Sequence, residues 1–334
     1  MKLLLLVFLF SLKSFALKPL GDPRYIGQAW YLDKIQIQQA WDVVPEAPDI
    51  KVAVIDMDFD LNAEDLRQVF DIQKSKDFSG SEFRSFTMDG AFSQHGTLVS
   101  GLIAADGLNA YGSTGIVRKG SLLAINIAPV GPLRINIAEA IRYAVDNGAK
   151  VINGSFGYRP SADEIQNLKN AVEYARQKDV VMLFSAGNYH DNLDTVPFYP
   201  ASLTTEFDNV ISVGASSVED KISAISSYGK KSVDLVAPGE DIIVSHLSGQ
   251  FKLSIGTSEA SPITAGVVAL MRKANPKLKA KDIKRLLLAN VDKQAALSGL
   301  CVSEGRLNAY KTVKAAANTA LPLIHNPLSH SLLR

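Results

Sequence analysis

Three polar residues of this chain stand where a side chain is readily exposed to do chemistry. Asp56 closes the apolar run Val52-Ala53-Val54-Ile55-Asp56. His95 opens His95-Gly96-Thr97, ahead of the apolar stretch Leu98 to Ala105. Ser258 lies in Gly256-Thr257-Ser258-Glu259-Ala260-Ser261-Pro262. A hydroxyl, an imidazole and a carboxylate make an activated nucleophile: the base takes the hydroxyl proton and the carboxylate orients the base. Singly, each has an ordinary explanation as a turn Asp, a surface or core His, and a helix-capping Ser. Together they run Asp, His, Ser, an order different from triads that run Ser, Asp, His or His, Asp, Ser. A fourth segment, Ser185-Ala186-Gly187-Asn188, follows a strand-like run and brings a side-chain amide able to donate to a developing oxyanion. Acyl transfer through a covalent intermediate is the chemistry this set serves.

Such residues need particular supports. A carboxylate at the C-terminal end of a parallel strand reaches the crevice where open α/β sheets place their sites. A Ser at a helix start lies among free N–H groups at the positive end of the helix dipole. Short apolar runs at 50–55, 122–127, 151–152, 180–184 and 210–213 predict buried parallel strands. Ile137, Ala140, Ile141, Ala144 and Val145 share one helical face, as do Ile165, Leu168, Ala171, Val172 and Ala175. Ser161 and Glu164, ahead of the second set, have capping-box spacing. Further helices are expected from Ser258 with Pro262 tolerated early in it, over 281–289, and from Gly305-Arg306-Leu307-Asn308 to about Ala317. Strands alternating with helices predict an α/β fold, a predominantly parallel central sheet with helices on both faces.

The 334 residues are 47% hydrophobic and 21% charged, with a formal net charge of +1, enough apolar material for a large core. No basic run is interleaved with aromatics, so no nucleic-acid partner is expected. Lys2, the apolar run Leu3 to Leu12 and Ser14-Phe15-Ala16 read as a signal peptide, residues 1–16, cleaved after Ala16. No later segment is long and apolar enough to cross a bilayer. No stable membrane insertion is therefore expected after cleavage, and the destination is secreted or periplasmic. Cys301 stands alone, so no internal disulfide is expected. Residues 17–319 read as one domain, and 320–334, with two Pro, two His and no period, as a C-terminal tail.

From about Asp22 to about Ala317 the chain resembles the subtilisin-like serine peptidases, or subtilases. The resemblance is carried by residues 52–56, 95–97 and 256–262, by Val-Ile-Asn-Gly-Ser-Phe-Gly at 151–157, and by residues 185–188. Val213-Gly214-Ala215 and Ala237-Pro238-Gly239 complete it. It implies a subtilisin-like fold and a secreted endopeptidase acting on polypeptide substrates. It also implies Ser258 as nucleophile, His95 as general base and then acid, and Asp56 as the orienting carboxylate. Asn188 and the backbone N–H of Ser258 would hold the oxyanion. Ser155, Phe156 and Gly157 would form the strand that pairs with an extended substrate, giving affinity from main-chain bonds. No cofactor is required for this chemistry. A structural Ca2+ is implied at Asp65 and at Asn109, within the loop 107–113, through the oxygen ligands calcium prefers.

Several positions depart from the family pattern. Met57-Asp58 follow Asp56 where Thr or Ser and then Gly are usual, and Asp58 is expected to point to solvent. Leu98 replaces a second His, which implies only repacking. Glu259 follows the nucleophile where Met is usual. Two readings stand for it: desolvation with a raised pKa, and selection of a basic group on the leaving side of the substrate. Loss of the thioether predicts activity that survives dilute peroxide. Residues 17–55 are taken up by the leading part of the peptidase domain, which leaves no separate pro-domain. Asp58, Glu259 and the missing pro-domain favour an alternative, a catalytically weak or inactive subtilase-fold binding or scaffolding protein. The intact Asp56, His95, Ser258 and Asn188 oppose it. An esterase with a nucleophile elbow needs its His after the Ser, where only His325 and His330 stand. His190, Asp191 and Asp194 read as a polar loop.

Overall fold

The computed structural model describes residues 25–78, 94–127, 137–245 and 251–320. The expected signal peptide, residues 1–16, and all of the expected tail but Ala320 lie outside the described residues. Two helices lead, α1 (Tyr25–Lys34) and α2 (Ile37–Val43). They are followed by β1 (Lys51–Asp56), β2 (Lys76–Asp77), α3 (His95–Ala104), β3 (Ser121–Asn126), α4 (Ile137–Asp146) and β4 (Val151–Gly154). Next come α5 (Ala162–Gln177), β5 (Val181–Ser185), β6 (Val210–Ser216), β7 (Leu235–Pro238), and the antiparallel hairpin β8 (Ile242–Ser245) and β9 (Phe251–Ser254). The chain then runs through α6 (Thr257–Ala274), α7 (Ala280–Ala289), β10 (Asp292–Lys293), β11 (Gly305–Arg306) and α8 (Ala309–Asn318).

Among the described residues, nine strands form one sheet in the order β10-β11-β7-β6-β5-β4-β1-β3-β2. Every neighbouring pair is parallel except β10 with β11 at one edge. The central strands are apolar along their whole length because both faces are covered. Alternation shows this directly. Val52, Val54, Leu122, Ala124, Val181 and Leu183 pack on the side of α3 and α6, while Ala53, Ile55, Leu123, Ile125, Met182 and Phe184 pack on the side of α4 and α5. The five strands expected from the sequence are β1, β3, β4, β5 and β6. The capping box at the start of α5 is formed, with Ser161 N–H donating to Glu164 Oε2 at 2.8 Å and Glu164 N–H to Ser161 Oγ at 3.4 Å. The leading segment folds as α1 and α2, whose Tyr31, Leu32, Ile37 and Trp41 are buried in the core shared with α6 and α8.

Helix α6 runs through that core, and its side chains from Glu259 to Arg272 are buried without a break. A helix apolar on all sides is stable only when enclosed. Enclosure on every side leaves the first turn of α6, which carries Ser258, little freedom of position.

Candidate active site

Strands β5, β4 and β1 lie side by side, with Gly154 paired to Ile55 on one side and Phe184 on the other. Their C-terminal ends therefore open on one crevice. Asp56 is the last residue of β1, Ser155 to Gly157 continue β4, and Ala186 to Asn188 continue β5. His95 begins α3 and Ser258 is the second residue of α6.

Asp56 is fully buried. Its Oδ1 accepts the Met57 N–H at 2.7 Å and lies 2.6 Å from His95 Nδ1. The Met57 carbonyl accepts the Gly96 N–H at 2.6 Å, which ties the strand end to the start of α3. A Cβ at Gly96 would stand 2.7 Å from the Phe59 ring, so α3 comes this close only because that position has no side chain. The charge of Asp56 raises the pKa of His95 to about 9, burial working in the opposite direction and Glu259 adding to the rise.

Ser258 Oγ donates to the Ser155 carbonyl at 3.1 Å and, among the described residues, not to the His95 ring. A second bond runs the other way. Helix geometry assigns the Ser258 carbonyl to the N–H of residue 262, but Pro262 has none. Ser155 Oγ takes that place, donating to the Ser258 carbonyl at 3.0 Å. Asn153 Nδ2 donates to Ser155 Oγ at 3.0 Å, and Ser261 Oγ donates to Asn153 Oδ1 at 2.7 Å. The start of α6 is thus fastened to the end of β4 by a chain of buried polar contacts.

Asn188 is aimed by Thr257. Its Oδ1 accepts both the Thr257 N–H and the Thr257 hydroxyl at 2.9 Å, while Thr257 Oγ1 accepts the Gly187 N–H at 3.1 Å. With the oxygen committed, the Nδ2 protons are left to face the crevice. Glu259 is buried beside Ser258, as expected. Its Oε1 accepts from Ser254 Oγ at 2.6 Å, its Oε2 has no partner among the described residues, and burial raises its pKa. A Cβ on Gly256 would lie 2.8 Å from that Oε2 and 2.9 Å from Asn188 Nδ2, so the carboxyl and the amide flank the same glycine.

A sequence model of the subtilase family matches residues 47–310. The chain belongs to the subtilase family. It is 34% identical to a thermophilic serine proteinase of Bacillus sp. (strain AK1), over 88% of this chain and 69% of that one. It is 32% identical to thermitase of Thermoactinomyces vulgaris, over 88% of this chain and 99% of that one. Among solved structures, the prenylagaramide maturation protease PagA superposes with a TM-score of 0.69 at 26% identity, over 85% of this chain and 99% of that one. A protease of Pseudoalteromonas arctica shares the fold with a TM-score of 0.73 at 24% identity, over 89% and 99%. This subtilase is a serine endopeptidase.

One expectation for the subtilase site needs correction. Asp58 does not point to solvent: it is 8% exposed, with φ of 58°, its N–H donating to Asn126 Oδ1 at 3.2 Å. The Phe156 ring packs edge-on against Phe184, with centroids 6.4 Å apart. Leu98 is core, as expected.

Asp65 and Asn109 are brought together, as a clamp of hydrogen bonds. Asp65 Oδ1 accepts from Asn109 Nδ2 at 3.1 Å and Oδ2 from the Ser113 N–H at 2.7 Å. Asn109 Oδ1 accepts the Tyr111 N–H at 2.8 Å. Gly112 has φ of 63° and a Cβ there would be 2.0 Å from Asp65 Oδ2, so the loop closes tightly over the carboxylate. Calcium takes six to eight oxygens. Here the amide turns its nitrogen to the carboxylate and both carboxylate oxygens already hold N–H donors, so this arrangement does not fit the ion.

Thr257, Asn153, Ser261 and Ser254 are the supporting residues that the motifs alone did not single out. Pro262 is the one signal that pointed to a support, since a proline in a helix announces an orphan carbonyl four residues back.

Proposed function

We propose that this subtilase cuts polypeptides with Ser258 as nucleophile, His95 as base and acid, Asp56 as the carboxylate that orients His95, and Asn188 with the Ser258 N–H as the oxyanion site. The observation that carries the proposal is the 2.6 Å contact of a wholly buried Asp56 with His95, at the crevice that Ser258 and Asn188 border. The contact fixes the tautomer: Nδ1 bears the proton toward Asp56 and Nε2 is left as the acceptor.

The Ser258 hydroxyl first turns from the Ser155 carbonyl to His95 Nε2. His95 takes its proton as Oγ bonds to the scissile carbon, and the carbonyl electrons pass to the oxygen. That oxyanion receives hydrogen bonds from Asn188 Nδ2 and the Ser258 N–H, at the positive end of α6. The C–N bond then breaks, and His95 gives its proton to the leaving amine. Water attacks the acyl-serine by the same route, His95 taking its proton and returning one to Ser258 Oγ. No cofactor enters these steps. The residues 155–157 pair with the extended substrate through their backbone.

An extracytoplasmic destination rests on residues 1–16. No helix among the described residues is long and apolar enough to cross a membrane. The test of the site is labelling by a fluorophosphonate, with Ser258→Ala beside it. Labelling of the parent alone is expected. Folded parent protein that takes no label would return the reading to a binding or scaffolding protein.

A further inference from the structure

Asn153 is a polar residue in an apolar place. It lies inside β4, with Val54 beside it on β1 and Leu183 on β5, and it is wholly buried. Val54 and Leu183 both belong to the core on the side of the sheet that carries α6. An amide buried there is tolerated only with its hydrogen bonds made. Both ends of the amide are engaged, and both lead to the first turn of α6. Ser261 Oγ donates to Asn153 Oδ1 at 2.7 Å, and Asn153 Nδ2 donates to Ser155 Oγ at 3.0 Å. Ser155 Oγ donates in turn to the Ser258 carbonyl at 3.0 Å.

These contacts close a ring. It leaves α6 at Ser261, crosses β4 through Asn153 and Ser155, and re-enters α6 at Ser258. Each hydrogen bond in it fixes the sense of the next. A hydroxyl that receives a proton from Asn153 Nδ2 turns its own proton elsewhere, here to the Ser258 carbonyl. That carbonyl has no helical donor, since residue 262 is proline. Asn153 and Ser261 are fully buried, so water does not replace either of them. Ser155 also holds the side chain of Ser258, its carbonyl accepting from Ser258 Oγ at 3.1 Å. Ser258 is therefore gripped at its carbonyl and at its Oγ by one residue, whose own hydroxyl is aimed by Asn153. To reach His95 the Ser258 hydroxyl turns about its Cα–Cβ bond while the carbonyl stays held. The motion is one side-chain rotation, not a shift of the helix end.

We propose that Asn153 is a positioning residue for the reaction. Acting through Ser155, and with its amide aimed by Ser261, it holds the Ser258 backbone so that Oγ swings to His95 Nε2 while the Ser258 N–H stays at the oxyanion. The proposal rests on the assignment of Ser258, His95 and Asn188 made above. Asn153 touches no reacting group. Its effect falls on the geometry of attack and not on substrate affinity, and a small displacement of a nucleophile slows attack steeply. The role also explains an amide at this register position. A valine or leucine would fill the space but leave Ser155 Oγ free to turn away from Ser258.

The test counts active sites by fluorophosphonate titration, then measures kcat, KM and the second-order rate of labelling per titrated site. Asn153→Ala is expected to lower kcat and the labelling rate together by about 10-fold, the scale of one hydrogen bond, with KM unchanged. Ser261→Ala removes one hydroxyl and leaves the Asn153 donor in place, and is expected to lower both by a smaller factor. Rescue separates positioning from packing. Pro262→Ala gives residue 262 an N–H that holds the Ser258 carbonyl without Ser155. Asn153→Ala with Pro262→Ala is expected to recover most of the kcat lost in Asn153→Ala, measured against Pro262→Ala alone, although the hole at position 153 remains. Thermal melts on every variant identify loss of fold, and Ser261→Ala decides the question if Asn153→Ala does not fold. An unchanged kcat per titrated site in Asn153→Ala, or in Ser261→Ala where that variant decides, overturns the proposal. So does a loss that Pro262→Ala does not relieve. A parent that takes no label removes the assignment of Ser258 and the proposal with it, whereas a labelled parent with either of those results removes the proposal alone.

Discussion

Asn188 is held by Thr257 through two hydrogen bonds to the same side-chain oxygen, each 2.9 Å long. An amide has two ends of opposite polarity, and this pairing decides which one is committed to Thr257. Asn188→Ala should lower kcat by about 100- to 1000-fold with little change in KM, because the bond it removes strengthens in the transition state. Thr257→Val keeps the size and removes the hydroxyl, leaving the backbone N–H alone to aim the amide. It should cost about 10-fold in kcat, the worth of roughly one hydrogen bond. Steady-state kinetics on a peptide anilide decide both; a Thr257→Val enzyme with unchanged kcat would show that the backbone bond suffices.

Ser155 repairs the defect that Pro262 makes in α6. Removing its hydroxyl in Ser155→Ala leaves the Ser258 carbonyl without the donor that Pro262 does not supply. An orphaned buried carbonyl costs about 1–3 kcal/mol. Thermal or urea unfolding of Ser155→Ala should show that loss. The double variant Ser155→Ala with Pro262→Ala should recover part of it, since residue 262 again has an N–H. A double variant no more stable than Ser155→Ala alone would separate the two residues.

The sheet was legible in the sequence because its central strands are apolar on both faces and helices α4 and α5 on one. Edge elements were not. β10 and β11 are two residues each and gain their pairing from Arg306, a buried cation bonded to Asp220 at 2.7 Å and Asp292 at 2.8 Å. Nothing in a two-residue run announces such a partner. The site divides in the same way. Asp56, His95, Ser258 and Asn188 lie in short motifs with strong local context. Asn153 meets Ser261 through tertiary packing, which has no period and no spacing to read. The burial of Asp58 is not legible either, because Asn126, which accepts its N–H, and Thr97, which donates to its carbonyl, are both distant in sequence.

The Asp65 clamp predicts a loop stabilised without metal. Asp65→Ala strands the buried Ser113 N–H and should cost about 1–3 kcal/mol in unfolding free energy. Treatment of the parent with a calcium chelator should leave its Tm unchanged. A Tm that falls on chelation and returns with calcium would mean that Asn109 turns its oxygen to a bound ion, and the hydrogen-bonded clamp would not be the working state of the loop.

With His95 as the proposed base, its acidic neighbours are expected to set the pH at which the enzyme works. His95 must be neutral to accept the Ser258 proton, and its pKa in the folded enzyme is raised to about 9 by Asp56, with Glu259 contributing. The limb of kcat/KM should therefore rise through about pH 9 and level off above it, since that profile reports the free enzyme. Glu259→Gln removes one of the charges that favour imidazolium and should shift the limb to lower pH. Stability moves in the opposite sense. A His whose folded pKa lies above its unfolded value, about 6.5, stabilises fully below that value and loses the contribution as pH climbs through about 9. Glu259 has its own pKa raised by burial. Its protonated form is the one the fold favours, so it costs stability as pH rises above its unfolded value, and Glu259→Gln should melt higher than the parent near neutral pH. Paired pH–rate and pH–melting curves of parent and variant test both arms. An unshifted limb would show that the Glu259 charge does not reach the ring, and an unchanged melt would show that its carboxyl is hydrated in solution.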